Sequence, residues 1–124
     1  LLAVMAQRLV RKICPHCGAA YDLPPGFFEE VVHALGVDST QAPSEVWRGK
    51  GCANCANTGF SGRAGIYELI RVDDEIRRLI VKGADSGSIL SKAKSLGMRT
   101  LRQDGLQKVL AGQTTFEEVM RVTN

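Results

Sequence analysis

The chain has no apolar run near the roughly 20 residues that a membrane-crossing helix needs. Residues 1–6 are apolar, but Gln7, Arg8, Arg11 and Lys12 follow at once. Neither a basic leader nor a small-residue cleavage site is present, which excludes a secretory signal in this stretch. A Walker phosphate loop is also missing. The single Gly-Lys pair, Gly49-Lys50, is followed by Gly51, and Ser44 stands where the first glycine is required. No block of one charge occurs either. Up to Lys50, Arg8, Arg11, Lys12, Arg48 and Lys50 are balanced by Asp22, Glu29, Glu30, Asp38 and Glu45. That balance argues against a nucleic-acid-binding face.

What remains is an ordinary globular composition over 124 residues, 44% hydrophobic and 23% charged. The formal net charge is +3 with neutral cysteines. Four thiolates around a divalent ion would lower it by two, to +1. The chain opens on Leu1 and enters an apolar segment without a cap, so it is expected to be a piece of a larger protein.

All four cysteines fall in two C-x-x-C pairs, Cys14-Pro15-His16-Cys17 and Cys52-Ala53-Asn54-Cys55. Two residues between thiols let one tight turn aim both sulfurs at one ion, and a second turn completes a tetrahedron. With four protein ligands and no open position, such a site is structural rather than catalytic. Gly18 follows the first pair, and Ala56 and Asn57 follow the second, where left-handed backbone is expected. Two disulfides or a redox dithiol are competing readings. The missing secretory signal weighs against the first, and the doubling of the motif without a thioredoxin-like context against the second. Zinc is the expected metal and iron the alternative, because the first knuckle resembles that of rubredoxin. His16 and His33 are read as ordinary polar residues, since four thiols already fill the site.

The fold class read from the sequence is α+β, mainly short helices with a small tetracysteine module and one or a few short strands. Residues 1–11 read as the end of a buried helix, with Leu2, Met5, Ala6 and Leu9 on one face. After the Pro24-Pro25-Gly26 turn a helix is predicted over 27–35, with Phe27, Val31, Val32 and Leu35 inward and Gly36 as its stop. Residues 37–44 read as a polar loop, and 45–48 as a short strand carrying Trp47 as core filler. The glycine-rich stretch 58–65 reads as a tight turn before a strand over 66–70 that is apolar on both faces. Four short helices follow. Asp73 caps 74–82, and Ser86 caps a helix ending at Leu96. A third spans 99–110, in which Gly105 allows close approach by another helix. Thr115 and Glu118 form a capping box that opens the last one.

Three ordered blocks carry a family resemblance. Residues 6–17, Ala-Gln-Arg-Leu-Val-Arg-Lys-Ile-Cys-Pro-His-Cys, resemble the entry to the tetracysteine module of bacterial secretion ATPases, the GspE-like type II secretion motor and the PilB-like type IV pilus extension motor. Residues 49–55 and 58–68, running from Thr58-Gly59-Phe60 through Ile66-Tyr67-Glu68, are similar to that module's exit. Residues 98–106 and 114–119 resemble the family's C-terminal ending.

The resemblance implies a division into the end of a core ATPase-domain helix at 1–12, a zinc module at 13–61 with ligands Cys14, Cys17, Cys52 and Cys55, and a strand plus helical subdomain at 62–124. It implies one structural Zn2+ per chain, with ATP and Mg2+ held only by an upstream part of the parent. By the same resemblance the parent is a hexameric cytoplasmic ATPase, peripheral to the bacterial inner membrane. The module's expected partners are neighbouring subunits and the cytoplasmic domain of an inner-membrane platform protein, with no nucleic acid and no membrane insertion. Phe28 and Trp47 are candidate contact residues. Arg63 and Glu68 are weaker candidates for bracing a subunit interface or the nucleotide site. A zinc-ribbon nucleic-acid binder and a rubredoxin-like electron carrier are the competing functional classes.

Overall fold

The computed structural model describes residues 3–36 and 45–123. The polar loop expected over 37–44 lies outside them. The class is α+β, as read from the sequence.

The start of the chain departs most from the sequence expectation. Residues predicted to end a helix form β1 (Ala3–Ile13), paired antiparallel with β4 (Phe60–Arg71). The register runs from Ala3 opposite Arg71 to Arg11 opposite Arg63, then slips so that Ile13 faces Phe60. Helical spacing of apolar residues is a local signal; pairing with a strand some fifty residues away outweighs it. Directly opposed residues share a face. On one face Val10 and Ile66 are fully buried; on the other Met5, Leu9, Tyr67 and Leu69 stay about half exposed. The strand expected at 66–70 is therefore covered on one side only, and it starts earlier, inside the glycine-rich stretch.

Between the two ribbon strands lie β2 (Gly18–Asp22), α1 (Phe27–Leu35) and β3 (Glu45–Gly49); β2 and β3 form a second antiparallel pair. α1 has its predicted bounds. Gly36, at φ 68°, donates its N–H to the Val32 carbonyl and stops the helix. Phe27 and Val31 are buried, whereas Val32 faces outward, contrary to expectation.

After β4 come α2 (Asp74–Val81), α3 (Ser86–Ser95), α4 (Leu101–Leu110) and α5 (Phe116–Thr123). Asp73 caps α2 by accepting the Ile76 N–H at 2.9 Å. The cap of α3 is Asp85, accepting the Ser88 N–H at 2.7 Å, rather than Ser86. Thr100 and Gln103 form a reciprocal capping box at the start of α4. Thr115 accepts the Glu118 N–H at 3.2 Å, but the Glu118 carboxylate turns elsewhere, so the box expected on α5 is only half made.

Two apolar clusters hold these elements together. The first joins Phe27, Val31 and Val46, from between the cysteine pairs, to Leu106 and Val109 of α4 and Phe116 and Val119 of α5. The Phe27 and Phe116 rings meet edge to face at 5.3 Å. Gly105 lies against α5 as anticipated: a Cβ there would fall 2.7 Å from a Val119 methyl. The second cluster, Val72, Ile76 and Ala93, belongs to the end of the ribbon and the α2–α3 pair.

Candidate metal centre

β1 delivers the first knuckle. The Ile13 N–H donates to the Gln113 carbonyl at 3.0 Å, and the Cys14 N–H to the Gly59 carbonyl at 2.9 Å. The turn closes with Gly18 N–H on the Cys14 carbonyl at 3.0 Å. Gly18 does not take the left-handed backbone expected of it. It is small because a Cβ would press on the Cys14 carbonyl at 3.1 Å and an Ile13 methyl at 3.2 Å.

The second knuckle is a short 3-10 turn, Ala53–Cys55, followed by Ala56 and Asn57, both left-handed as the sequence predicts. The Asn57 N–H returns to the Cys52 carbonyl at 2.8 Å. The knuckles are joined through Lys50, whose N–H donates to the Cys17 carbonyl at 3.1 Å. The chain crosses itself at Gly49 and Gly59, where a Cβ on Gly59 would sit 2.6 Å from the Gly49 carbonyl oxygen. Only glycines allow that crossing, and the crossing brings the knuckles face to face.

All four thiol sulfurs lie within 4.8 Å of one another. Cys14 and Cys52 are 3.8 Å apart, Cys17 and Cys55 3.8 Å, and Cys52 and Cys55 3.7 Å. A tetrahedron with metal–sulfur bonds of about 2.3 Å has edges of about 3.8 Å. All four cysteines are free rather than disulfide-bonded. Backbone amides aim at the sulfurs: Gly51 N–H at Cys17, and Cys52 and Gly59 N–H at Cys55, at 3.2–3.3 Å.

These surroundings act on the thiols unequally. Burial raises Cys17, the Gly51 amide pulls it back, and the neighbouring thiols keep it up at about 11. Burial also pushes Cys55 up, but the amides of Cys52 and Gly59 and the adjacent Cys52 and Cys17 thiols bring it down to about 6. Four sulfurs crowded at this spacing cannot all shed protons without a cation among them. The donor set and its spacing therefore fit one thiophilic divalent ion. His16 and His33 are exposed and take no part in the cluster.

One residue beside the centre escaped the sequence reading. Glu118 is 2% exposed, and its carboxylate accepts both the backbone N–H and the guanidinium of Arg11 at 2.8 Å, with Arg121 as a second partner at 2.9 Å. The Arg11 guanidinium in turn lies 4.2 Å over the Phe60 ring. Thr114 donates its hydroxyl to the Arg11 carbonyl at 2.7 Å. The only available signal was its place in an apparent capping box, which points to a different partner. Trp47, read as core filler, is half exposed and leans on Gly112, where a Cβ would lie 3.0 Å from the indole. Phe28 is exposed on α1. Arg63 is exposed on the ribbon, while Glu68 accepts the Leu101 N–H at 3.2 Å and braces the start of α4.

No helix among the described residues is long and apolar enough to cross a membrane. The chain is similar to "Type IV pilus assembly ATPase PilB" of Thermus thermophilus, 43% identical over 99% of this chain and 14% of that protein. It is similar to "Type II secretion system protein HxcR" of Pseudomonas aeruginosa, 40% identical over 99% of this chain and 22% of the relative. "Type II secretion system protein E" of Dickeya dadantii is 44% identical over 99% of this chain and 23% of its own length. The chain thus spans less than a quarter of the length of these relatives. A family profile described as "Type II/IV secretion system protein" matches residues 1–121, and the chain belongs to that family.

Proposed function

We propose that this chain is the metal-binding and helical C-terminal portion of a hexameric cytoplasmic ATPase that powers type II protein secretion or type IV pilus assembly. The observation that carries the metal assignment is the cage of four free sulfurs at tetrahedral spacing. Cys14, Cys17, Cys52 and Cys55 hold one Zn2+, which cross-links two segments far apart in sequence. The ion supplies a rigid joint and no reaction chemistry. The family membership and the ATPase named among the relatives support the motor assignment.

In this reading the chain does not hydrolyse ATP alone. The phosphate loop its sequence lacks, with ATP and Mg2+, belongs to an upstream part of the parent. The lobe between the cysteine pairs presents Phe28 and Trp47 outward, to neighbouring subunits or to the cytoplasmic part of an inner-membrane platform protein. The parent acts in the cytoplasm at the inner membrane.

Elemental analysis of the purified chain tests the metal assignment. One equivalent of zinc in a colourless protein is the expected result. A red protein holding iron replaces zinc with the rubredoxin-like alternative. A metal-free protein with cross-linked or freely reactive thiols overturns the assignment.

A further inference from the structure

The two apolar clusters divide the helices unevenly. Phe27, Val31 and Val46, all from between the cysteine pairs, have no separate core; they share one with Leu106, Val109, Phe116 and Val119. Polar contacts follow the same division. Gln103 of α4 donates to the Ala34 carbonyl at 2.6 Å, Arg102 faces Glu30 at 3.7 Å, and Arg48 of β3 pairs with Glu117 of α5. Trp47 rests on Gly112, between α4 and α5. By contrast, α2 and α3 pack on Val72, Ile76 and Ala93 and are joined by Lys92 to Glu75 at 3.0 Å.

We infer that the metal centre, α1, β3, α4 and α5 form one cooperative folding unit and that α2 and α3 form another, so that releasing the ion loosens α4 and α5 while α2 and α3 hold. The inference rests on the four cysteines being the ion's ligands. The ion's influence then reaches the β1–β4 ribbon through α4 and α5, which grip it at three places. Glu118 holds the Arg11 N–H, the Asp104 carboxylate accepts the Tyr67 N–H at 2.9 Å, and Glu68 accepts the Leu101 N–H. Small cores of this kind open as units, each with its own free energy.

Hydrogen exchange read by mass spectrometry, on the zinc-loaded chain before and after a chelator, tests this. Exchange should rise together over 27–35, 101–110 and 116–123, by ~10-fold or more, with less than about a twofold change over 74–81 and 86–95. A rise confined to 14–60, or an equal rise over 74–95, overturns the inference while leaving the ligands in place. A chain that binds no ion overturns both. Zinc transfer to a chromophoric chelator adds a second reading: Val109→Ala should speed it several-fold, at least ~3-fold, and Ile76→Ala should not. Equal rates for the two variants overturn the inference as well.

Discussion

Glu118 and Arg11, 107 positions apart in sequence, are joined twice: the buried carboxylate takes the arginine's backbone N–H and its guanidinium, each at 2.8 Å. The bond to the backbone occupies a donor on the side of β1 that β4 does not cover. Glu118→Gln should therefore destabilise the chain by about 2 kcal/mol, below the 3–5 kcal/mol typical when both partners are buried, because Arg11 and Arg121 are half exposed. Urea unfolding of the two proteins measures it; an unchanged midpoint would show the clamp to be ornamental.

Acid should act through the same carboxylate. Burial alone would raise Glu118, but hydrogen bonds from Arg11 and Arg121 hold it down to about 2, against an ordinary value of 4.5. A group depressed in the folded state stabilises above its unfolded value, and that contribution is lost as pH falls toward the folded one. The stability difference between the chain and Glu118→Gln should be constant above about pH 5.5 and shrink between about pH 5 and 2, by up to the about 2 kcal/mol that the carboxylate contributes at neutral pH. Taking the difference cancels the protonation of the cysteines, which both proteins share. A difference that does not vary with pH contradicts the account.

The sequence made the helices and the cysteine cage easy to read because their signals are local. Gly36 and Asp73 mark ends within a few residues of what they cap, and a C-x-x-C turn aims its own sulfurs. The ribbon is hard to read for the opposite reason, because its pairing is non-local. Met5 and Leu9 mimic a helical face, and nothing near them reveals that Leu69 and Gly65 lie opposite. Glu118 was hidden in a different way. Three residues after Thr115 it fits a local box, while its partner sits at the other end of the chain.

The crossing of Gly49 and Gly59 should tolerate no side chain. Gly59 has φ 80°, and an added Cβ would meet backbone at 2.6 Å, which cannot move aside without separating the knuckles. Gly59→Ala is expected to cost roughly 2 kcal/mol or more and to weaken zinc binding at least ~10-fold in a competition titration. Wild-type affinity in that variant would show that the knuckles meet without the crossing.

Gly105 presents a milder case. Alanine would bring back about 1 kcal/mol of helix propensity in α4. It would also place a methyl against Val119, and overpacking of this kind costs about 1–3 kcal/mol. A net loss of about 1 kcal/mol is expected from thermal or urea melts, and a clear gain would mean that α4 and α5 part easily.

For the proposed contact surface, Trp47→Ala and Phe28→Ser in the full-length parent should reduce secretion or piliation with zinc content unchanged. Both side chains are exposed, and neither belongs to the buried core. Normal transport in the double variant would remove these residues from the interface.

Ile13 and Phe60 stand opposite each other where the ribbon slips register. The chain thus departs for the cysteine lobe and comes home at a single doorway. Topologically the lobe is a detour, inserted where a tight hairpin would join the two strands directly. Chemically it is not so dispensable, for Phe27 and Val46 would leave with it and Phe116 would face water. A chain shortened at that doorway would need new apolar partners for its last two helices.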